Sequence, residues 1–332
     1  MTDTAPTGRL TETPAAASRR GETLREYVSE GVAPPPALLD QGPLRLAGPA
    51  RGFWSASFRR LLRNRLAMFA LLLLLCLTVA SFSAPLIAQA MGLERDVMDL
   101  TNRYQPPSLE HPFGTDSFGR DYFIRVLYGG QISILMGIGV AVVILLIAFP
   151  LGLTAGFYGG IVDDVFNWVV QILVTTPIIF ALILITSWLV PTPLTLAVII
   201  GAFGWMGNAR QARGLTLQLK RTDYVLAARA LGARNGRIIF RHIMPNQVSL
   251  MLILAGFDVV AGVLAETGLS FLGLGIRPPI PSWGNMLTDS RENIFRAPYL
   301  LVFPGLAIGT LVLGVYLFTD GLRDAFDPGL RE

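Results

Sequence analysis

Four stretches of this chain contain no charged side chain at all: Leu66 to Ala90, Val126 to Val162, Val165 to Ala209 and Ala297 to Thr319. An α-helix rises about 1.5 Å per residue and a bilayer's hydrocarbon core is about 30 Å thick, so roughly 20 consecutive apolar residues make a crossing. Each run reaches that length. Only 15% of the 332 residues are charged, against about 25% in an average soluble domain. With 52% hydrophobic residues and a mean hydropathy of +0.53, the chain lacks the polar surface to cover such runs in water. Six segments read as spans: 66–90, 131–157, 165–190, 193–210, 247–272 and 298–319. The run from Val165 to Ala209 would overshoot one bilayer twofold, and Pro191-Thr192-Pro193 breaks it into a hairpin. The expected fold class is all-α: a polytopic membrane protein with six transmembrane helices and a long structured loop on its cytoplasmic face.

Orientation follows from basic residues near the span ends. Arg51, Arg59, Arg60, Arg63 and Arg65 precede the first span and place the N-terminus in the cytoplasm. With six spans the connection 210–246 is cytoplasmic too, as is the C-terminus. That connection holds Arg210, Arg213, Lys220, Arg221, Arg229, Arg234, Arg237 and Arg241 against one acid, Asp223. In the external stretch 91–125 acids outnumber bases. One inner turn dissents, with Asp163 and Asp164 and no base.

This distribution accounts for the net charge of +4 and the pI near 9.5 through topology, and argues against a nucleic-acid partner. Cys76 is the sole cysteine and His111 and His242 the only histidines, so there is no disulfide framework, and no metal site is assigned. Neither Gly-x-Ser-x-Gly nor His-Glu-x-x-His occurs, and the single lysine, Lys220, lies outside any P-loop. No catalytic residue is therefore assigned, and any ATP must be hydrolysed elsewhere. Residues 1–52, rich in Pro, Ala, Thr and charge, read as a disordered cytoplasmic tail with at most a short helix near Glu22 to Ser29. Then come a juxtamembrane segment with the first transmembrane helix (53–90), an external segment (91–130), and a core of five transmembrane helices (131–332) that includes the loop 210–246.

Bundle helices are commonly joined by a few residues, yet this loop exceeds thirty. Thr222 or Asp223 can cap a helix whose Tyr224, Ala227, Ala228, Ala230 and Leu231 form a small-residue face ending at Gly232. A second short helix fits Asn235 to Ile243, with Ile238, Ile239 and His242 on one side and Arg237 and Arg241 on the other. Pro245 suits the first turn of the next span. Such a pair of helices could dock in the groove of a soluble partner or lie on anionic lipid headgroups. The small alanine face favours the groove.

The run Tyr-Val-Leu-Ala-Ala-Arg-Ala-Leu-Gly-Ala-Arg at 224–234, continuing through Arg-Ile-Ile-Phe-Arg-His-Ile-Met-Pro-Asn at 237–246, resembles the cytoplasmic EAA loop of ABC importer permeases. Leu226 stands where the name-giving Glu often does, whereas Ala227, Ala228 and Gly232 match. Three further blocks are similar to the C-type permease subunit of the dipeptide/oligopeptide/nickel branch. They are His111-Pro112-Phe113-Gly114-Thr115-Asp116 with Gly119-Arg120-Asp121, then Glu266 with Leu269-Ser270-Phe271-Leu272-Gly273-Leu274-Gly275 and Pro281-Ser282-Trp283-Gly284-Asn285, and finally Gly321-Leu322-Arg323-Asp324-Ala325 with Asp327-Pro328. The resemblance covers about 54–332. It implies a multi-pass protein of the bacterial inner (plasma) membrane that forms a heterodimer with a second permease subunit. It also implies two ATPase subunits that hold ATP and Mg, and an extracytoplasmic solute-binding protein. Tyr224, Ala227, Ala228, Arg229, Leu231, Gly232, Arg237 and Pro245 then couple the chain to the ATPases. This chain itself binds no cofactor. A peptide is the expected solute, with nickel or another small solute as the alternative, and an ion-coupled secondary transporter is the competing class.

Two carboxylates, Asp258 and Glu266, stand inside the fifth apolar segment, where an ionisable group is a functional candidate by default. A spacing of eight puts them about 80° apart, so both can face one cavity. Asp258, the deeper, can meet the cationic end of a peptide or a basic group on another subunit. Glu266 is expected to cap a helix or pair with an external Arg. Asp116 and Asp121, with Gly114 and Gly119, read as a turn in which Thr115 or Asp116 caps the helix entering span two. Gly129-Gly130, Gly152, Gly156, Gly159-Gly160, Gly201, Gly204 and Gly207 read as helix-contact positions, Pro150 and Pro177 as kinks, and Trp54, Trp168 and Trp188 as interface anchors.

Overall fold

Asparagine and proline set the first boundaries. In the computed structural model, which describes residues 53–189 and 191–326, helix α1 (Phe53–Arg63) stops at Asn64. The Asn64 side chain accepts from the backbone N–H groups of Leu66 and Ala67 at 3.1 Å each, capping α2 (Arg65–Phe82). The span expected at 66–90 is interrupted at Ser83. Pro85 then opens α3 (Ala84–Met91), which closes on Gly92 in the left-handed conformation. The long α4 (Tyr122–Tyr158) has 37 residues, about 55 Å, so it begins well outside the expected 131–157. Asp121, rather than Thr115 or Asp116, is its cap, accepting from Ile124 N at 2.8 Å. The tail, its short helix and Asp327-Pro328 lie outside the described residues, as does the side chain of Trp54.

The third and fourth expected spans differ most from expectation. Segment 165–190 is α5 (Gly160–Thr175) and α6 (Ile178–Trp188), bent by 76° at Thr176 and Pro177. Segment 193–210 is split at Trp205 into α7 (Pro193–Gly204), capped by Thr192, and α8 (Met206–Leu219). Twelve residues rise about 18 Å, too short to cross alone. Among the described residues, four helices are long and apolar enough to span, five if the bent pair counts as one, so the count of six is not reached on length and composition. Apolar runs report composition; Pro177 bends the backbone inside one of them and Trp205 interrupts the helix inside another. After α8 come α9 (Asp223–Ala230), α10 (Asn235–Ile238), a π-turn at Ile239–Ile243, α11 (Met244–Phe271), α12 (Trp283–Arg291) and α13 (Tyr299–Phe326). The second loop helix is thus not separate, because Asn235 to Phe271 run as one 37-residue helix.

α4 is the axis. A Cβ added to Gly137 would meet Val259 and Val263 of α11, one on Gly156 would meet Thr216 of α8, and one on Gly201 of α7 would meet Val143. Gly160 and Gly207 are exceptions among the expected contact glycines, with open space around them, and Gly159 has only the Lys220 ammonium near it. Gly129 and Gly130 let α12 settle on α4, since added carbons would lie 3.2 and 2.8 Å from the ring of Trp283. Trp283 is 1% exposed, donates Nε1–H to Val126 O at 2.8 Å, and its backbone N–H donates to Ser133 Oγ at 3.1 Å. Gly321 of α13 packs on Ala67 at the start of α2, while Ser81 near the end of α2 packs on Gly130 near the start of α4. The start of α2, the ends of α4, α8 and α13 and the start of α11 therefore share one end of the bundle. The loop 220–243 shares it whatever the number of crossings in α5 to α8.

Candidate functional site

At that shared end, α9 hangs on one side chain. Val225 is fully buried with Phe149, Leu153 and Phe157 of α4, Ala212 of α8, and Ile238, Ile239 and Ile243. Thr222 occupies the capping position, but its hydroxyl donates to Leu219 O at 2.6 Å and does not bond an α9 amide. The helix closes through Gly232 at φ +80° with Ala233 N bonded back to Ala228 O at 3.0 Å, a turn that needs glycine's freedom. With Val225 inward, Tyr224, Ala227, Arg229, Ala230, Leu231 and Gly232 are exposed and Ala228 is half-buried. Leu231 is 89% exposed and Phe240 70%, with Tyr224 and Leu226 also open. Sequence reasoning named neither the Val225 anchor nor the exposed Phe240. Val225 was legible in the helical spacing, since it lies opposite Ala227, whereas Phe240 lies opposite Ile238 but only about 60° from Ile243 at α-helical spacing.

Arg229 lies over the Phe157 ring at 5.7 Å, and Arg237 and the first-turn Pro245 are exposed. Asn246 donates to His242 O at 2.6 Å and reaches Tyr224 Oη at 3.4 Å, tying α9 to the foot of α11. A second tie explains the dissenting inner turn. Asp163 of α5 takes both Nε and Nη2 of Arg213 in α8, the latter at 2.7 Å, and Lys220 Nζ donates to Gly156 O at 2.7 Å. Bidentate pairing fixes orientation as well as distance. The acid that broke the charge rule clamps α5 to the helix leading into α9.

The two intramembrane carboxylates do not share a site. Asp258, 8% exposed, accepts from Asn208 Nδ2 of α8 at 2.6 Å. Glu266 is fully buried, and its Oε1 accepts from Ser270 and Ser282 at 2.7 Å each. It neither pairs with an Arg among the described residues nor faces an open cavity, because α12 folds back over the outer end of α11. Ser282 caps α12 reciprocally with Asn285, so Glu266 fixes the point where that cap attaches.

Outside the bundle, His111 Nδ1 lies 2.8 Å from Asp121 Oδ2. Asp116 accepts from the backbone of Phe118 and Arg120 and from Arg120 Nε, and its Oδ2 lies 3.4 Å from the buried Arg125 Nε. Burial pushes the nearby Asp289 carboxyl up, against the pull of Arg125 and Arg120. Among the described residues no three His, Cys, Asp or Glu side chains form a metal-holding group. Trp168 and Trp188 are 67% and 89% exposed, as interface anchors would be.

Residues 148–332 match the model of the binding-protein-dependent transport system inner membrane component, and residues 52–107 match that of the N-terminal TM domain of oligopeptide transport permease C. The chain is 36% identical to the dipeptide transport system permease protein DppC of Alkalihalophilus pseudofirmus over 279 residues, covering 84% of this chain and 91% of that relative. It is 35% identical to the oligopeptide transport system permease protein OppC of Bacillus subtilis over 298 residues, 90% of this chain and 97% of that one. A putative peptide transport system permease protein of Brucella abortus is 39% identical over 273 residues, 82% and 91% of the two chains.

Proposed function

Because the chain belongs to the family of binding-protein-dependent transport system inner membrane components, we propose that it is the permease subunit of an ATP-driven importer of dipeptides or oligopeptides. The observation that carries this reading is the loop formed by α9, held by Val225, and the following π-turn, which leaves Tyr224, Leu226, Leu231 and Phe240 uncovered at one end of a membrane bundle. Apolar side chains in a basic loop are costly to leave in water and have a use if a partner covers them. The partners are two ATPase subunits, which carry ATP and Mg, docked on Tyr224, Ala227, Ala228, Arg229, Leu231, Gly232, Arg237 and Pro245. A second permease subunit completes the pathway and an extracytoplasmic binding protein delivers the peptide. The end bearing α9, together with both termini, faces the cytoplasm, and residues 131–332 are the permease core. The test is uptake of labelled di- and oligopeptides by cells lacking this chain. It should be lost, nickel uptake should be unchanged, and in wild-type cells uptake should stop on ATP depletion but survive collapse of the proton gradient. Peptide uptake that persists without the chain, or that follows the proton gradient, contradicts the reading.

Asp258 lines the pathway and meets the peptide's ammonium end as Asn208 releases it. The Asp258→Asn variant keeps a hydrogen-bonding partner for Asn208 and the same volume, so the fold should persist. Losing a charge-assisted contact of about 1.5–3 kcal/mol should lower uptake roughly tenfold for peptides with a free N-terminus. N-acetylated peptides should show little change. Equal effects on both classes would remove Asp258 from this role.

A further inference from the structure

Ahead of the first span, α1 has three faces. Ser57 and Leu61 are buried, Leu61 against Ala67, Phe318, Leu322 and Ala325. Phe58 and Leu62, about 100° further round, are 61% and 50% exposed. Arg59 and Arg63 occupy the third face, exposed, with Arg60 half-buried beside them and Arg65 just past the cap. Among the described residues none of these four arginines makes an ion pair. A helix with one face on protein, one apolar and one basic suits the plane of a membrane interface.

Beneath α1 lies a groove of about 530 Å³, lined by Ser57, Phe58 and Leu61, by Leu252 of α11 and by Leu322 and Phe326 of α13. Among the described residues its lining is hydrocarbon apart from serine. Among the described residues, α1 and its cap carry four arginines and no acid, and the end of α13 adds exposed Arg323 beside exposed Asp320 and Asp324. We propose that this groove binds an anionic phospholipid, one acyl chain lying against Leu61, Leu252 and Leu322 and the phosphodiester held by Arg59, Arg60 and Arg63. A zwitterionic lipid fits the groove but leaves the arginines uncompensated. An acidic protein segment meets the arginines but has no use for a hydrocarbon slot at membrane depth. Exposed charges act over about 8 Å at physiological salt, so the headgroup must sit on α1 itself. The site is independent of what the chain transports.

The membrane complex containing the full chain, stripped of lipid and offered equal phosphatidylglycerol and phosphatidylcholine of matched chains, should retain the anionic lipid at least about tenfold over the zwitterionic one by native mass spectrometry. The triple change Arg59→Gln, Arg60→Gln and Arg63→Gln, at positions outside the core, should bring the two to near parity. Filling the groove with Leu252→Trp should release both. On the unaltered protein, glycerol 3-phosphate should fail to displace phosphatidylglycerol, because the headgroup alone lacks the chain. Parity in the wild type, an unchanged preference in the triple variant, unchanged retention in Leu252→Trp, or displacement by glycerol 3-phosphate would each overturn the proposal.

Discussion

Replacing Ala227 by tryptophan should abolish peptide uptake, at least about tenfold, while the protein still inserts and accumulates normally. Ala227 is exposed on α9, which Val225 on the opposite side holds in place. A bulky residue there meets nothing within the chain, and the helix-propensity cost of such a change is only about 0.5 kcal/mol. Folding therefore survives. A groove shaped for alanine does not accommodate the indole, and overpacking of a fitted contact costs about 1–3 kcal/mol or more. The same substitution separates docking from lipid binding. If α9 lay on headgroups, tryptophan would strengthen its anchorage and uptake would hold. Uptake of labelled peptide, normalised to membrane-embedded protein, decides the matter, with Leu109→Trp at the opposite end of the bundle as a surface control.

The second large effect is on stability. Trp283→Ala removes a ring that is 1% exposed, sits on Gly129 and Gly130, and donates to Val126 O. Aromatic-to-alanine changes in a core cost about 3–5 kcal/mol, because transfer and cavity terms add. Val126 O loses its side-chain donor as well. For a chain of this size the midpoint of thermal unfolding should fall by about 8 °C or more, with Trp283→Phe intermediate. A fall under about 2 °C would show that α12 is held by Glu266, Ser270 and Ser282 alone.

How much of this was legible depended on whether a feature was local. The α9 helix could be read because Tyr224 to Leu231 and Gly232 carry their own small face and stop signal within nine residues. Membrane segments could be read because apolar runs need no partner to be recognised. Other features needed contacts between distant residues. Asp163 looked like a violation of the charge rule until Arg213, fifty positions on, was seen to grip it. Asn208, a neutral side chain in an apolar run, gains meaning only beside Asp258. Pro245 was read as standing in the first turn of the next span, and it does stand in the first turn of α11, but the helix also continues back through it to Asn235. A proline ring crowds the carbonyl four residues back, here Arg241, and the π-turn at Ile239–Ile243 widens the helix at that carbonyl. Pattern reading takes such a proline as a boundary when the backbone has absorbed it.

That unbroken passage has a geometric consequence. From Asn235 to Phe271 there are 37 residues, about 55 Å of helix widened once at Ile239–Ile243, and Asn246 ties it to Tyr224 roughly a third of the way along. A tilt of about 10° around its midpoint sweeps each tip about 5 Å in opposite directions, one helical turn's worth of travel. Moving as one body, such a helix would carry a nudge no larger than a side chain to the far tip where Ser270 and Ser282 grasp Glu266.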